Sequence, residues 1–340
     1  MNAAVRIFRA LSAAAAGLAL LPLAAFAQET REYDLPQLEE EVRAEIAAEA
    51  RPEVSLRDLV KVKLKAMNRF VGLADFGNYK ANSYQPEFRA KVTAPVARNA
   101  GIRLMGTGRV LHYDFIDGES DLGIGSVSDG PFDSLYNWTV RLQGAYLLDE
   151  GRTLFSKREQ WSLMSDLSAR AAWEQGANMG DTVGGGGSLA VGYRLGRTLE
   201  LAAGVSLRSS LRTGKLKVGP IAEFDWRINE RWKLSSQGLG LKLERRIGER
   251  FTLFTRARLE GSSYQLADRG GDVGDAFLRI RQVPVGLGLE WKATRHLRVT
   301  TLGGVMAVHQ LEVENRHGRT IDRDSARPSP YFLIRFDLKS

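Results

Sequence analysis

Charged side chains alternate with apolar ones through much of this chain, and the chemistry open to it starts there. Arg141, Asp166, Arg170, Arg194, Arg208, Glu223, Asp225, Arg227, Arg256 and Arg258 each interrupt, by parity, a run of apolar residues at neighbouring alternate positions. In an extended chain successive side chains point to opposite faces, so these charges share a wet face. Both signs occur, with Arg in excess. Such a face either closes on itself through ion pairs or lines a polar passage that favours anions.

Catalytic chemistry finds less to work with. The four histidines are His112, His296, His309 and His317. None is followed by Ser two residues on. His296 adjoins a tight turn and His317 falls in a loop. His309 shares the parity of Leu297, Val299, Val305, Leu311 and Val313, which predicts a lipid-facing or rim position. His112, near Asp114, is the one candidate for a catalytic group, set against an ordinary rim histidine. No metal-ligand spacing or nucleophile elbow occurs, and the Gly184–Gly187 run opens no helix that could cradle phosphate. The expectation is a protein that is not an enzyme and carries no cofactor and no metal. With no cysteine in the chain, thiol chemistry, disulfides and a lipid-modified Cys are excluded.

The elements that must position the charges are strands. "LELAAGVSLRSSL" places Leu199, Leu201, Ala203, Val205, Leu207 and Leu211 on one side and Glu200, Ser206 and Arg208 on the other. The same rhythm predicts strands at 87–96, 101–116, 136–148, 160–174, 188–195, 199–211, 216–228, 251–266, 276–292, 297–314 and 330–339. A first strand is expected within 68–79. Residues 55–67 fit a Ser55-capped helix or a strand. The 101–116 strand is apolar on both faces and changes phase near Arg109. In 231–247 the apolar parity flips near Gln237-Gly238, which predicts a tight hairpin, or else a bulge.

Tight connections at Gly196-Arg197, 229–231, 248–250 and 293–295 contrast with longer loops at 117–134, 175–187, 267–275 and 315–329. Short turns on one side and long loops on the other are the asymmetry of a membrane barrel with its short turns in the periplasm. The predicted fold is all-β: a transmembrane antiparallel up-and-down barrel of about 12–14 strands with a short N-terminal periplasmic helix. Tyr193, Trp226, Trp232, Phe251 and Trp291 lie near the tight turns and are candidates for an aromatic girdle at headgroup level.

The N-terminus reads as an export signal over 1–27: Arg6 and Arg9, an Ala/Leu-rich stretch, then Ala25-Phe26-Ala27. Residues 28–58 form an acidic helical segment, with ten Asp/Glu against four Arg, net −6. It is either a solvated tail or a helix docked at the barrel mouth. The barrel, 59–340, carries 42 basic against 30 acidic residues, net +12. The basic residues alternate along strands instead of clustering on a helix, which argues against nucleic acid. Membrane lipids and lipopolysaccharide, the barrel-assembly machinery and small solutes are the expected partners.

The stretches "FDWRINERWKLSSQGLGLKLERRIGERFTLFTRARLEGSSYQL" (224–266) and "VPVGLGLEWKATRHLRVTTLGGV" (283–305) carry a resemblance. In their strand, tight turn and Trp-x-Leu order the chain resembles an uncharacterised family of proteobacterial outer-membrane β-barrel proteins. The resemblance implies an outer-membrane address and no catalytic residues. The terminal residue, Ser340, departs from the aromatic ending common in such barrels. The function expected is a pore or channel for small polar solutes, anionic ones included, or a structural barrel. The alternatives are a barrel-resident hydrolase acting on lipid or peptide and a closed barrel binding partners through its loops.

Overall fold

The computed structural model describes residues 60–97, 100–117, 131–148, 159–178, 182–196, 198–209, 216–236, 238–268, 276–315 and 317–339. The expected export signal over 1–27 and the expected acidic helical segment over 28–58 lie outside these residues. Sixteen strand segments follow in order. They are β1 (Lys61–Asp75), β2 (Lys80–Ala97), β3 (Ala100–Asp117), β4 (Leu135–Leu147), β5 (Glu159–Glu174), β6 (Val183–Leu195), β7 (Leu199–Ser209) and β8 (Leu216–Arg227). Then come β9 (Trp232–Ser236), β10 (Gly240–Ile247), β11 (Phe251–Arg258), β12 (Glu260–Gln265), β13 (Phe277–Lys292), β14 (Leu297–Glu314), β15 (Thr320–Ala326) and β16 (Ser329–Lys339).

Fourteen of them close a ring. β1 to β11 pair in chain order, β11 pairs β13, β13 pairs β14, β14 pairs β16, and β16 returns to β1. The ring pairings are antiparallel, and Lys63 opposite Lys339 puts the start of β1 and the end of β16 together at the tight-turn end. β12 and β15 prolong the wall above β11 and β16 at the long-loop end. The closed antiparallel all-β barrel expected from the alternation is therefore the fold, with the expected hairpin formed by β9 and β10. Its outer face is apolar: Trp138, Val140, Leu167, Leu189, Val205 and Phe332 are all exposed.

Several expectations need correction. Of the 55–67 stretch, which fitted a helix or a strand, residues 61–67 form the lower half of β1, where Lys61, Lys63 and Lys65 alternate with Val62 and Leu64, and residues 55–59 lie outside the described residues. The Gly184–Gly187 run is not loop but strand, paired with Leu167–Arg170 of β5. The 315–329 connection contains β15, paired with the top of β14. No bulge occurs at Arg109, because the β2–β3 register is continuous through Glu87–Arg109 and Tyr84–His112. What changes there is the barrel's content: inward Arg103, Thr107 and Arg109 lie below, and inward Leu111 and Tyr113 above.

His309 is the sharpest correction. It faces neither lipid nor rim but is 1% exposed inside the barrel. The register shifts opposite Val283-Pro284, where Val308 and Met306 are consecutive partners. One extra residue in β14 flips every later side chain to the other face. Leu302 and Met306 face inward below the bulge, and His309, Leu311 and Val313 face inward above it.

The barrel narrows toward the long loops. Gln265 of β12 pairs in parallel with Trp173 of β5, so β6 to β10 leave the ring at that level. Glu174 fastens the junction by accepting the backbone N–H of Asp133 and of Ala267, each at 2.7 Å. The narrow end is filled. Ala74, Phe76, Tyr79, Leu111, Tyr113, Phe132, Leu135, Tyr264, Leu278, Ile280, Leu311 and Val313 pack into one buried apolar cluster. Below this internal plug the inner face is largely polar, interrupted by two apolar clusters, one around Met164 and Ile221 and one around Phe254 and Leu302.

Candidate functional site

Below the plug the barrel holds a cavity of about 1220 Å³. Its lining follows from the strand pleat: the parity that exposes Leu and Val outside sends Lys, Arg, Glu and Asp inside. Twenty basic residues line it against seven acidic ones. The mouth lies at the tight turns, marked by Thr198, Asn229, Glu230 and Arg231. Its shape is a cup, open at one end and stopped by the plug at the other.

Two carboxylates organise the floor. Glu87 on β2 accepts Arg109 through Nε at 3.1 Å and Nη2 at 2.8 Å, and Arg89 at 3.1 Å. Lys65 stands 3.9 Å away. Glu260 on β12 takes Arg69 at 2.7 Å and Arg256 at 3.0 Å. One acid thus faces three cations and the other at least two. Buried carboxylates with several charge-assisted bonds hold their Arg planes in fixed orientation. The walls repeat the theme, with Arg141–Asp166 at 3.3 Å, Arg298–Glu290 at 3.3 Å, Lys233–Asp225 at 2.6 Å and Arg335–Asp337 at 2.8 Å. Ion pairs consume every acidic group named here, and the cationic excess remains.

A polar thread joins floor to plug. Arg69 donates to Gln282 Oε1 at 3.4 Å, which turns the amide nitrogen of Gln282 toward His309 Nε2 at 3.2 Å. Tyr113 Oη lies 2.7 Å from the same nitrogen. With two donors on Nε2, the ring proton belongs on Nδ1. Nδ1 has no hydrogen-bond partner among the described residues.

Of the charges singled out from the sequence, Arg141, Arg170, Asp225, Arg227, Arg256 and Arg258 line the cup. Asp166 and Glu223 are buried beneath it, Arg194 pairs with Glu200, and Arg208 lies opposite Lys217 on the β7–β8 ladder. The sequence missed Arg69, Arg109 and Glu87, which make the floor. Arg69 lies in the weakly patterned first strand, Glu87 at the first residue of the expected 87–96 strand and Arg109 where 101–116 is apolar on both faces, and only the pairing of β1, β2 and β3 brings them together.

The girdle candidates sit at strand ends near the tight turns. Tyr193 lies tilted against Trp161 with ring centres 4.6 Å apart, and Phe251 stacks on Trp291 at 6.5 Å. Trp226 is exposed outside, opposite Leu199. Trp232 stands at the cup mouth with Arg245 5.4 Å from its ring centre.

His112 lies on the outer face, away from the cup. Its Nδ1 is 3.2 Å from Ser134 Oγ, a partner that sequence spacing did not reveal because a long connection separates them. The local backbone donors are engaged: Ser134 N–H donates to Asp133 and Asp133 N–H to Glu174. Among the described residues no His, Asp or Glu cluster could hold a metal.

Among solved structures, the chain is similar to an outer membrane channel from Pseudomonas putida F1, with 8% identity and a TM-score of 0.40 over 83% of this chain and 95% of that one. It is also similar to the Pseudomonas putida toluene transporter TodX, with 11% identity and a TM-score of 0.38 over 82% and 88%. A third is the translocator domain of the autotransporter NalP from Neisseria meningitidis, with 8% identity and a TM-score of 0.30 over 89% and 95%. At this level of likeness nothing about cargo or mechanism transfers. No curated protein matches the sequence. A family model described as a domain of unknown function, DUF6268, matches residues 154–339. That span holds β5 to β16, more than half of the chain, and the chain belongs to this family.

Proposed function

We propose that the protein is an outer-membrane barrel that takes anionic solutes into a basic cup facing the periplasm. The observation that carries this reading is the cup lining, twenty basic side chains against seven acidic. The apolar exterior supports the membrane address, since such a wall seeks acyl chains. The tight-turn end, with the start of β1 and the end of β16, belongs on the periplasmic side by the usual asymmetry of these barrels. Walls of low dielectric concentrate the field of one sign and raise the local concentration of opposite charge. The plug means that a solute entering the cup does not run straight through the barrel axis.

Titration calorimetry with pyrophosphate on the folded protein in a zwitterionic detergent tests this. Binding is expected at low ionic strength, falling steeply with added salt and weakened at least tenfold in the double variant Arg256→Glu, Arg258→Glu. Equal binding of a polyamine, or no binding of pyrophosphate, overturns it.

A second reading rests on the His112–Ser134 contact: an ester hydrolase on the outer wall. Its weakness is physical, since no described group orients the other ring nitrogen and the nearby amides are engaged. Under this reading Ser134→Ala abolishes hydrolysis of a short-chain nitrophenyl ester. Under the cup reading Ser134→Ala leaves pyrophosphate binding unchanged.

A further inference from the structure

The mouth of the cup carries cations side by side. On the inner face, Lys63 of β1 stands opposite Lys339 of β16 on one side and opposite Lys91 of β2 on the other. All three line the cup. Elsewhere around the mouth Arg231, Arg246 near the end of β10 and Lys292 at the end of β13 line it too. Like charges directly opposite each other weaken a strand pair. A row of three Lys therefore favours an anionic group lying over it. Acids of this end pair with other cations of the wall: Asp225 with Lys233, Glu244 with Lys242, Glu290 with Arg298 and Asp337 with Arg335.

The acidic stretch of the chain joins the wall at this row. Residues 28–58 carry ten Asp/Glu against four Arg, net −6. Lys61 opens β1 at the tight-turn end, so Asp58 precedes the row by only a few residues. Reach is not limiting. The chain between Glu49 and Lys61 spans up to about 40 Å when extended. A tilted ring of fourteen strands spaced about 4.8 Å apart is about 20–30 Å across. Carboxylates of the stretch can therefore meet both the Lys63 side and the Arg246 side of the mouth.

We infer that the acidic segment 28–58 seats in the mouth of the cup as a tethered anionic occupant, its carboxylates over the Lys63, Lys91 and Lys339 row, and competes there with solutes. The inference rests on the cup reading and names what regulates the cup. Two features select this occupant. The charges are opposite, net −6 in the segment against twenty basic and seven acidic residues in the lining. The attachment makes docking intramolecular, with an effective concentration in the mM range for a short flexible linker. A second copy of the chain would meet a mouth already served by the nearer segment. The cationic excess of the lining exceeds the charge of the segment, so a seated segment weakens the field of the cup without reversing it.

Titration calorimetry with pyrophosphate at low ionic strength tests it, on the full chain and on its variant Glu39→Gln, Glu40→Gln, Glu41→Gln, Glu45→Gln, Glu49→Gln. The variant is expected to bind pyrophosphate at least about fivefold more tightly than the parent, with the gap closing as salt is added. Equal or weaker binding by the variant overturns the inference and leaves the cup reading standing. In a second measurement a photo-reactive benzoylphenylalanine replaces Ile46 in the otherwise unaltered chain, and crosslinked peptides are identified by mass spectrometry. Crosslinks are expected on the cup-lining strands near the mouth, β1, β2, β10 and β16, and are expected to fall at least about fivefold when salt is raised. Crosslinks to detergent alone, to a second copy alone, or none at all overturn the inference. Should neither protein bind pyrophosphate, the cup reading fails and the crosslinks alone decide where the segment sits.

Discussion

At the scale of single residues the floor of the cup carries a trade-off between stability and charge. Glu87 is buried and answers Arg109, Arg89 and Lys65 together. Replacing it by Gln removes the carboxylate that these three cations share. Removing one partner of a buried pair costs about 3–5 kcal/mol. Glu87→Gln is therefore expected to lower the urea midpoint of the barrel refolded in vesicles, yet to bind pyrophosphate more tightly than the parent. A variant that loses stability and affinity together contradicts this account of the floor. In the plug, Tyr113→Phe takes one donor from buried His309 and is expected to cost about 1–3 kcal/mol in the same measurement without altering pyrophosphate affinity. The sequence could flag Arg256 and Arg258, which lie in a strongly alternating strand. It could not flag Glu87 or Arg69, whose importance comes from which strand lies beside which.

At the scale of elements, alternation located most strands to within a few residues, because one face is uniformly apolar. It failed wherever both faces became apolar or the phase moved. In β3 the loss of alternation above Arg109 marks the plug and not a kink, and sequence periodicity cannot separate the two. In β14 the extra residue near Ala307 is invisible in an apolar stretch, so His309 was sent outward by arithmetic that was sound until the bulge. The glycines of β6 read as loop from their composition. They stand in a ladder beside β5, where Gly187 leaves room for the Asp166 carbonyl, 3.1 Å from where a Cβ would sit. The outer face of these central strands gives a direct prediction. Leu167→Arg, at the exposed middle of β5, is expected to cost about 2–4 kcal/mol when folding is measured in lipid. The same change at Ser168, on the inner face of the same strand, is expected to cost much less. Equal costs at the two positions contradict a lipid-facing wall.

At the scale of the molecule, two architectures share one barrel. The wide ring of fourteen strands surrounds a cationic cup, while the narrow end, drawn in by the β12–β5 contact, is packed like a soluble core. The sequence announced the barrel and its basic balance, but an open lumen and a stopped one have the same alternation below the plug. What stops this one is long-range: apolar residues from β1, β3, β12, β13 and β14 converge because the ring contracts. The central claim is the sign of the field inside the cup. The chain has no cysteine, so Thr252→Cys places a single thiol on the cup lining. The decisive measurement is its rate of modification by an anionic and by a cationic methanethiosulfonate of similar size. The cup described here makes the anionic reagent faster by at least about tenfold at low salt, since such fields reach several kT, with the ratio collapsing as salt is added. Equal rates, or a faster cationic reagent, would contradict it.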